Sequence, residues 1–166
     1  MRRPAGIALL LLSAASAPQS LTAATSQSFQ VSATVTAGCL VVGGGANYGG
    51  LNFGSRSALA TGTVQVALTG GVQLQCTPGV SLNMSIDGGQ YNSSGRHMQV
   101  NSGSARVAYA LFRDAAYSQS LGIGQSVAVA YSDANNISLP VYGQVQLPGN
   151  QPGGTYSDVL QVQLTW

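Results

Sequence analysis

Leu160-Gln161-Val162-Gln163-Leu164-Thr165-Trp166 alternates strictly between apolar and polar residues. A period of two is the mark of a strand with one face in the core and one in solvent. The alternation runs to the last residue, so the expectation is an open-edged strand with no following partner. A second alternating stretch lies near the other end. Phe29, Val31, Ala33 and Val35 are separated by Gln30, Ser32 and Thr34. A sandwich short of its last strand, preceded by a loose alternating segment, suggests copies that complete one another.

Between these ends the sequence reads as all-β. No window repeats apolar residues at helical spacing over three turns, whereas short alternating runs recur with Gly-rich turns between them. Thr63 to Leu68, Val72 to Cys76 and Val80 to Ile86 are read as strands, the last closed by Asp87-Gly88-Gly89. Val107 to Leu111 and Val127 to Tyr131 follow. Ile137 to Val145 is read as one strand, at an edge or a bulge because it holds Pro140. The final strand is expected to start near Thr155 or Tyr156.

Charge narrows the function classes. The chain has 166 residues, of which 6% are charged, with neither Lys nor Glu. An ordinary soluble domain carries about 25%. Residues 1–24 read as a secretory signal: Arg2 and Arg3 precede the apolar run Ile7 to Leu12, and small residues follow. The alternative, a membrane anchor, needs about 20 apolar residues and this run is shorter. Beyond the signal, Arg56, Arg96, Arg106 and Arg113 balance Asp87, Asp114, Asp133 and Asp158. A neutral mature chain has no electrostatic footprint for nucleic acid or anionic lipid. It also has little charge to oppose self-association. No later segment reads as a membrane span.

Two cysteines in an exported chain point to one disulfide, Cys39 to Cys76. Val72, Leu74 and Cys76 share one strand face, so Cys76 points inward. Two unpaired buried thiols are the other reading. Catalysis finds little support. The single histidine, His97, is read as a loop residue, with no carboxylate placed to orient it. No metal-ligand spacing occurs, the four Asp cannot be paired as a glycosidase needs, and no cofactor is expected. Tyr109, Tyr142 and Tyr156 are read as core or edge residues, and Tyr91 and Tyr117 as loop aromatics.

Several segments, in order, resemble spore coat protein U-like domains. They are Val31 to Cys39, Leu51-Asn52-Phe53-Gly54, Cys76-Thr77-Pro78-Gly79 and Ile86-Asp87-Gly88-Gly89, then Ala108 to Tyr117, Val141 to Val145 and Gly154 to Asp158. This family includes subunits of archaic, Csu-type chaperone–usher pili. The resemblance implies an incomplete immunoglobulin-like β-sandwich lacking its final strand and completed by a donated one. It implies a structural rather than enzymatic role in a surface pilus, serving attachment and biofilm formation. The partners it implies are a periplasmic chaperone, an outer-membrane usher and neighbouring subunits, met in the periplasm and then at the cell surface. On this reading residues 25–36 form a donor-strand segment and 37–166 the pilin domain. Phe29, Val31, Ala33 and Val35 enter a neighbour's groove, and Leu160, Val162, Leu164 and Trp166 line the acceptor groove. The residues alone fit a second reading equally, in which 29–36 is the chain's own first strand. A spore-coat or other surface-layer protein, or a tip or adaptor adhesin, is the alternative function.

Overall fold

The computed structural model describes residues 27–43, 47–71 and 73–166. The predicted signal at 1–24, Thr25 and Ser26 of the donor segment, and Val72 lie outside them. The chain divides into two units, Met1–Thr34 and Val35–Trp166. In the first, residues 27–34 form no strand and are exposed throughout. The alternation from Phe29 onward therefore has no partner strand here. Alternation alone does not make a strand: a lone ribbon leaves its backbone groups to water and buries nothing.

The second unit holds ten strands among the described residues: β1 Cys39–Val42, β2 Thr61–Ala67, β3 Gln73–Cys76, β4 Asn83–Ile86, β5 His97–Val100, β6 Arg106–Phe112, β7 Val127–Ala128, β8 Tyr142–Pro148, β9 Tyr156–Ser157 and β10 Val162–Thr165. No helix occurs among them. All pairings are antiparallel. They form a pair β1-β3, a three-stranded sheet β10-β4-β7 and a five-stranded sheet β2-β8-β6-β5-β9. One core joins the three. Leu74 and Cys76 come from β3, Met84 and Ile86 from β4, Leu111 from β6 and Val127 from β7, with Leu82, Leu121, Val129, Ile137, Leu139 and Val141 from the connections. Cys39 and Cys76 form the expected disulfide.

Several boundaries differ from the sequence reading; the strand read at Val127 to Tyr131, for one, is only Val127–Ala128. Ile137 to Val145 is two pieces: Ile137 bridges Leu74, while β8 begins at Tyr142 and pairs β2 and β6. Pro140, which has no N–H to give a ladder, stands at the switch between sheets. The expected final strand from Thr155 is also two, β9 and β10, parted by Asp158 to Gln161. His97 is not a loop residue but opens β5, paired with Ala108. Val80 to Leu82 stay outside β4, although Val80 and Leu82 still pack on the core.

Candidate strand-acceptor groove

Among the described residues strand β10 has one neighbour, β4, in the register Val162↔Ile86 and Leu164↔Met84. The alternation of side chains turns Leu160, Val162 and Leu164 onto the core, half-buried, and leaves Gln161, Gln163 and Thr165 exposed. Hydrogen-bond direction alternates with the same period. The Asp87 N–H donates to the Gln161 carbonyl at 3.1 Å. Odd-numbered residues of β10 therefore face β4. Val162 and Leu164 direct their N–H and C=O groups to the opposite, open edge.

Strand β1 is its counterpart. Its one neighbour among the described residues is β3, with Cys39 opposite Cys76 and Val41 opposite Leu74. The Thr77 N–H donates to the Gly38 carbonyl at 2.9 Å, while Leu74 and Cys76 donate away from β1, to Ile137 and Ala134. Even-numbered residues of β1 hence bond β3. Cys39 and Val41 present their backbone groups outward and their side chains to the core, half-buried. The disulfide sits in a pair that exchanges no hydrogen bond, the closer-spaced kind, and clamps β1 to β3 without using its open edge.

At one end the Trp166 side chain reaches the residue before β1. A Cβ at Gly38 would lie 3.8 Å from Trp166 Nε1, so the residue before β1 stands beside the residue after β10. Trp166 remains 59% exposed, at the rim. Of the four residues predicted for the groove, Leu160, Val162 and Leu164 pack half-buried against the core, and Trp166 stands exposed just past β10. Cys39 and Val41, which the sequence reading did not name for this role, pack half-buried on the same core. The available signal was the short apolar run Cys39-Leu40-Val41-Val42. Of the predicted donor residues, Phe29, Val31 and Val35 are 86%, 81% and 89% exposed, and Ala33 is exposed as well.

A buried polar cluster fixes the start of β10. Arg96 is 5% exposed, and its guanidinium donates to the carbonyls of Asp87, Leu121, Ile86 and Gly122. Asp87 Oδ1 accepts from the N–H groups of Gln161 and Gly89. Asp158 accepts from Tyr109 Oη at 2.8 Å and from the Gln90 and Val159 N–H groups. A side chain at Gly89 would strike that carboxylate, at 2.0 Å from Oδ2. Burial pulls the Arg96 guanidinium below its ordinary value, partly offset by Tyr109, Asp87 and Asp158. Burial, then the bond to Asp158, pushes the Tyr109 phenol well above its own. The cluster is a brace, satisfied on every buried side chain among the described residues. His97, by contrast, places Nδ1 2.8 Å from the Gly95 carbonyl.

The brace has a measurable consequence. Tyr109→Phe removes the donor to Asp158 and should lower stability by about 1–2 kcal/mol at neutral pH. Tyrosine in the unfolded chain ionises near about pH 10, whereas Tyr109 stays neutral to higher pH in the fold. Its contribution is full below that pH and is lost as pH rises above it. Urea unfolding of Y109F at pH 7 and pH 11 should therefore show a smaller gap between the two pH values than the unaltered chain.

Comparison with known proteins agrees with this architecture. The Spore Coat Protein U domain matches residues 25–163. The chain belongs to this family. No curated protein matches it significantly. Among solved structures, this spore coat protein U domain is similar to a chain of the CsuC–CsuE chaperone–tip adhesion subunit pre-assembly complex, from archaic chaperone-usher Csu pili of Acinetobacter baumannii. The TM-score is 0.52 and the identity 16%, over 80% of this chain and 41% of that one. A chain of a chaperone–tip adhesin complex of CFA/I fimbriae biogenesis aligns at TM-score 0.47 and 14% identity, over 78% and 41% of the two chains. The chain thus spans about two fifths of each of these two solved chains. At this identity the likeness to the first is one of fold, an immunoglobulin-like β-sandwich.

Proposed function

We propose that this chain is a structural subunit of a surface pilus, assembled by the chaperone–usher pathway through strand donation, and serving attachment and biofilm formation. One observation carries the reading: β1 and β10 turn outward backbone edges that are unpaired among the described residues, beside the apolar side chains of Cys39, Val41, Leu160, Val162 and Leu164. An extended strand laid there would take hydrogen bonds from both edges and fill the floor with alternate side chains. Phe29, Val31, Ala33 and Val35 have that alternation and are exposed. Burying them in a neighbour's groove contributes on the order of 5–10 kcal/mol before ordering costs.

On this reading a periplasmic chaperone occupies the groove first, an outer-membrane usher exchanges it for the next subunit's residues 25–36, and the product is carried to the cell surface. The role is structural and not enzymatic. Membership of the spore coat protein U family supports these partners, as does the first solved neighbour, a chain of a chaperone-bound pilus subunit complex. Amide hydrogen exchange tests the geometry. The amides of Val162 and Leu164 should slow at least about tenfold on assembly as the open edge is paired, while Gln163, already facing β4, changes little. Equal protection of all three before and after assembly would refute the groove.

A further inference from the structure

The five-stranded sheet ends in a second open edge, of a different kind. Strand β2 is seven residues long and pairs only with β8 among the described residues. Natural edge strands are guarded by charge, proline, bulges or brevity. Thr61-Gly62-Thr63-Val64-Gln65-Val66-Ala67 has no charge and no proline, and its register with β8 is unbroken from Thr61↔Pro148 to Ala67↔Tyr142. Its only irregularity is Gly62, at φ 112°, near the start.

The outward row is identifiable. The Leu68 N–H donates to the Val141 carbonyl at 2.9 Å, so even-numbered residues face β8. Thr61, Thr63, Gln65 and Ala67 then direct their backbone groups away from the sheet. The chain itself begins to use this row. Just past β2, Thr69 exchanges both hydrogen bonds with Gly50, at 2.9 and 3.0 Å, before that segment departs.

The strand is complementary to itself. Antiparallel pairing of two copies about Val64 sets Thr63 opposite Gln65 of the second copy, Thr61 opposite Ala67, and Val64 opposite Val64. Every residue of the outward row then falls in a hydrogen-bonded pair, giving roughly four to eight backbone bonds. A register shifted by one residue would not achieve this. The side chains agree. Thr63 Oγ1 already donates to Gln146 Oε1 at 2.7 Å, and Gln65 Nε2 to Gln144 Oε1 at 3.0 Å. Thr63 against Gln65 of a second copy repeats the first of these pairs. Such a closed, two-fold contact is isologous.

We propose that the β2 edge is a self-association site, where two copies of this chain pair antiparallel about Val64. It lies in a different sheet from the β1 and β10 edges, so strand donation leaves it free, and in fibres the contact would join neighbouring fibres side by side. The contact itself does not depend on strand donation.

Cysteine cross-linking of the purified mature chain tests the register. Val64→Cys brings two thiols together in a non-hydrogen-bonded pair, with Cα atoms about 4.5 Å apart, within disulfide reach. Mild oxidation should yield a covalent dimer. Val66→Cys faces Gly62 of the partner and should not cross-link. A second variant, Thr63→Lys with Gln65→Lys, sets Lys opposite Lys on an exposed face and should abolish the V64C cross-link and the native dimer while leaving the melting temperature unchanged. Equal cross-linking of V64C and V66C, absence of both cross-links, or a dimer unaffected by the lysines would overturn the proposal. Fibres that still form but lie singly in the lysine variant would support lateral pairing and leave strand donation standing. A chain that dimerises through V64C but never forms fibres would count against the pilus reading alone.

Discussion

Replacing Val31 and Val35 together with Asp should abolish fibre formation while leaving the subunit soluble in complex with its chaperone. Both residues are exposed in the isolated chain, so the change costs its own fold nothing. In a neighbour's groove the same carboxylates would meet the floor of Val41, Leu160, Val162 and Leu164, where no basic group has been placed. Burying an unpaired charge there costs several kcal/mol, and the apolar gain of two valines is lost besides. The combined penalty exceeds what a donated strand of this size gains. Electron microscopy of surface fibres, with a pull-down on the tagged chaperone, separates the two outcomes. Normal fibres from the V31D/V35D variant would mean that residues 29–36 are not the donor.

The second large effect concerns the wall of the groove. Replacing Cys39 and Cys76 with Ser opens a loop with a sequence separation of 37 residues. In the chain-entropy account that loop contributes about 4 kcal/mol. Strand β1 is four residues long and pairs only with β3 among the described residues, so the disulfide is its main restraint. The double variant should lose roughly 10–20 °C in melting temperature and most of its periplasmic yield. It should also lose β1 as an ordered edge before the five-stranded sheet unfolds. Unchanged melting under oxidising conditions would show that the pairing β1-β3 holds without the bond.

The strands around the proposed groove were partly readable from residues alone. The alternation Leu160 to Leu164 gave the core-facing side of β10, because side-chain period and strand period coincide in a half-buried strand. The pairing of Cys39 with Cys76 followed from their number and the export signal. The partner wall at Cys39 and Val41 was not readable. A four-residue run carries too little periodicity, and its placement depends on which side of β3 it takes. The brace of Arg96, Asp87, Asp158 and Tyr109 was invisible for a related reason. Its members come from four separate segments, and the Arg96 guanidinium is bonded to backbone carbonyls, which no sequence pattern records. Pro140 and Asp158 were each seen, but not as places where the chain changes sheet or strand, since that choice is made by long-range pairing. The segment 29–36 shows the converse: a clear strand pattern without a strand, because alternation needs a partner edge before it becomes one.

The most direct test is the native mass of the mature chain from an oxidising periplasm, compared with the same chain lacking residues 25–36. Strand donation predicts a ladder of oligomers resistant to dissociation for the full chain and none for the truncation. A well-folded monomer from the full chain would contradict it and would place residues 29–36 at home in their own sandwich.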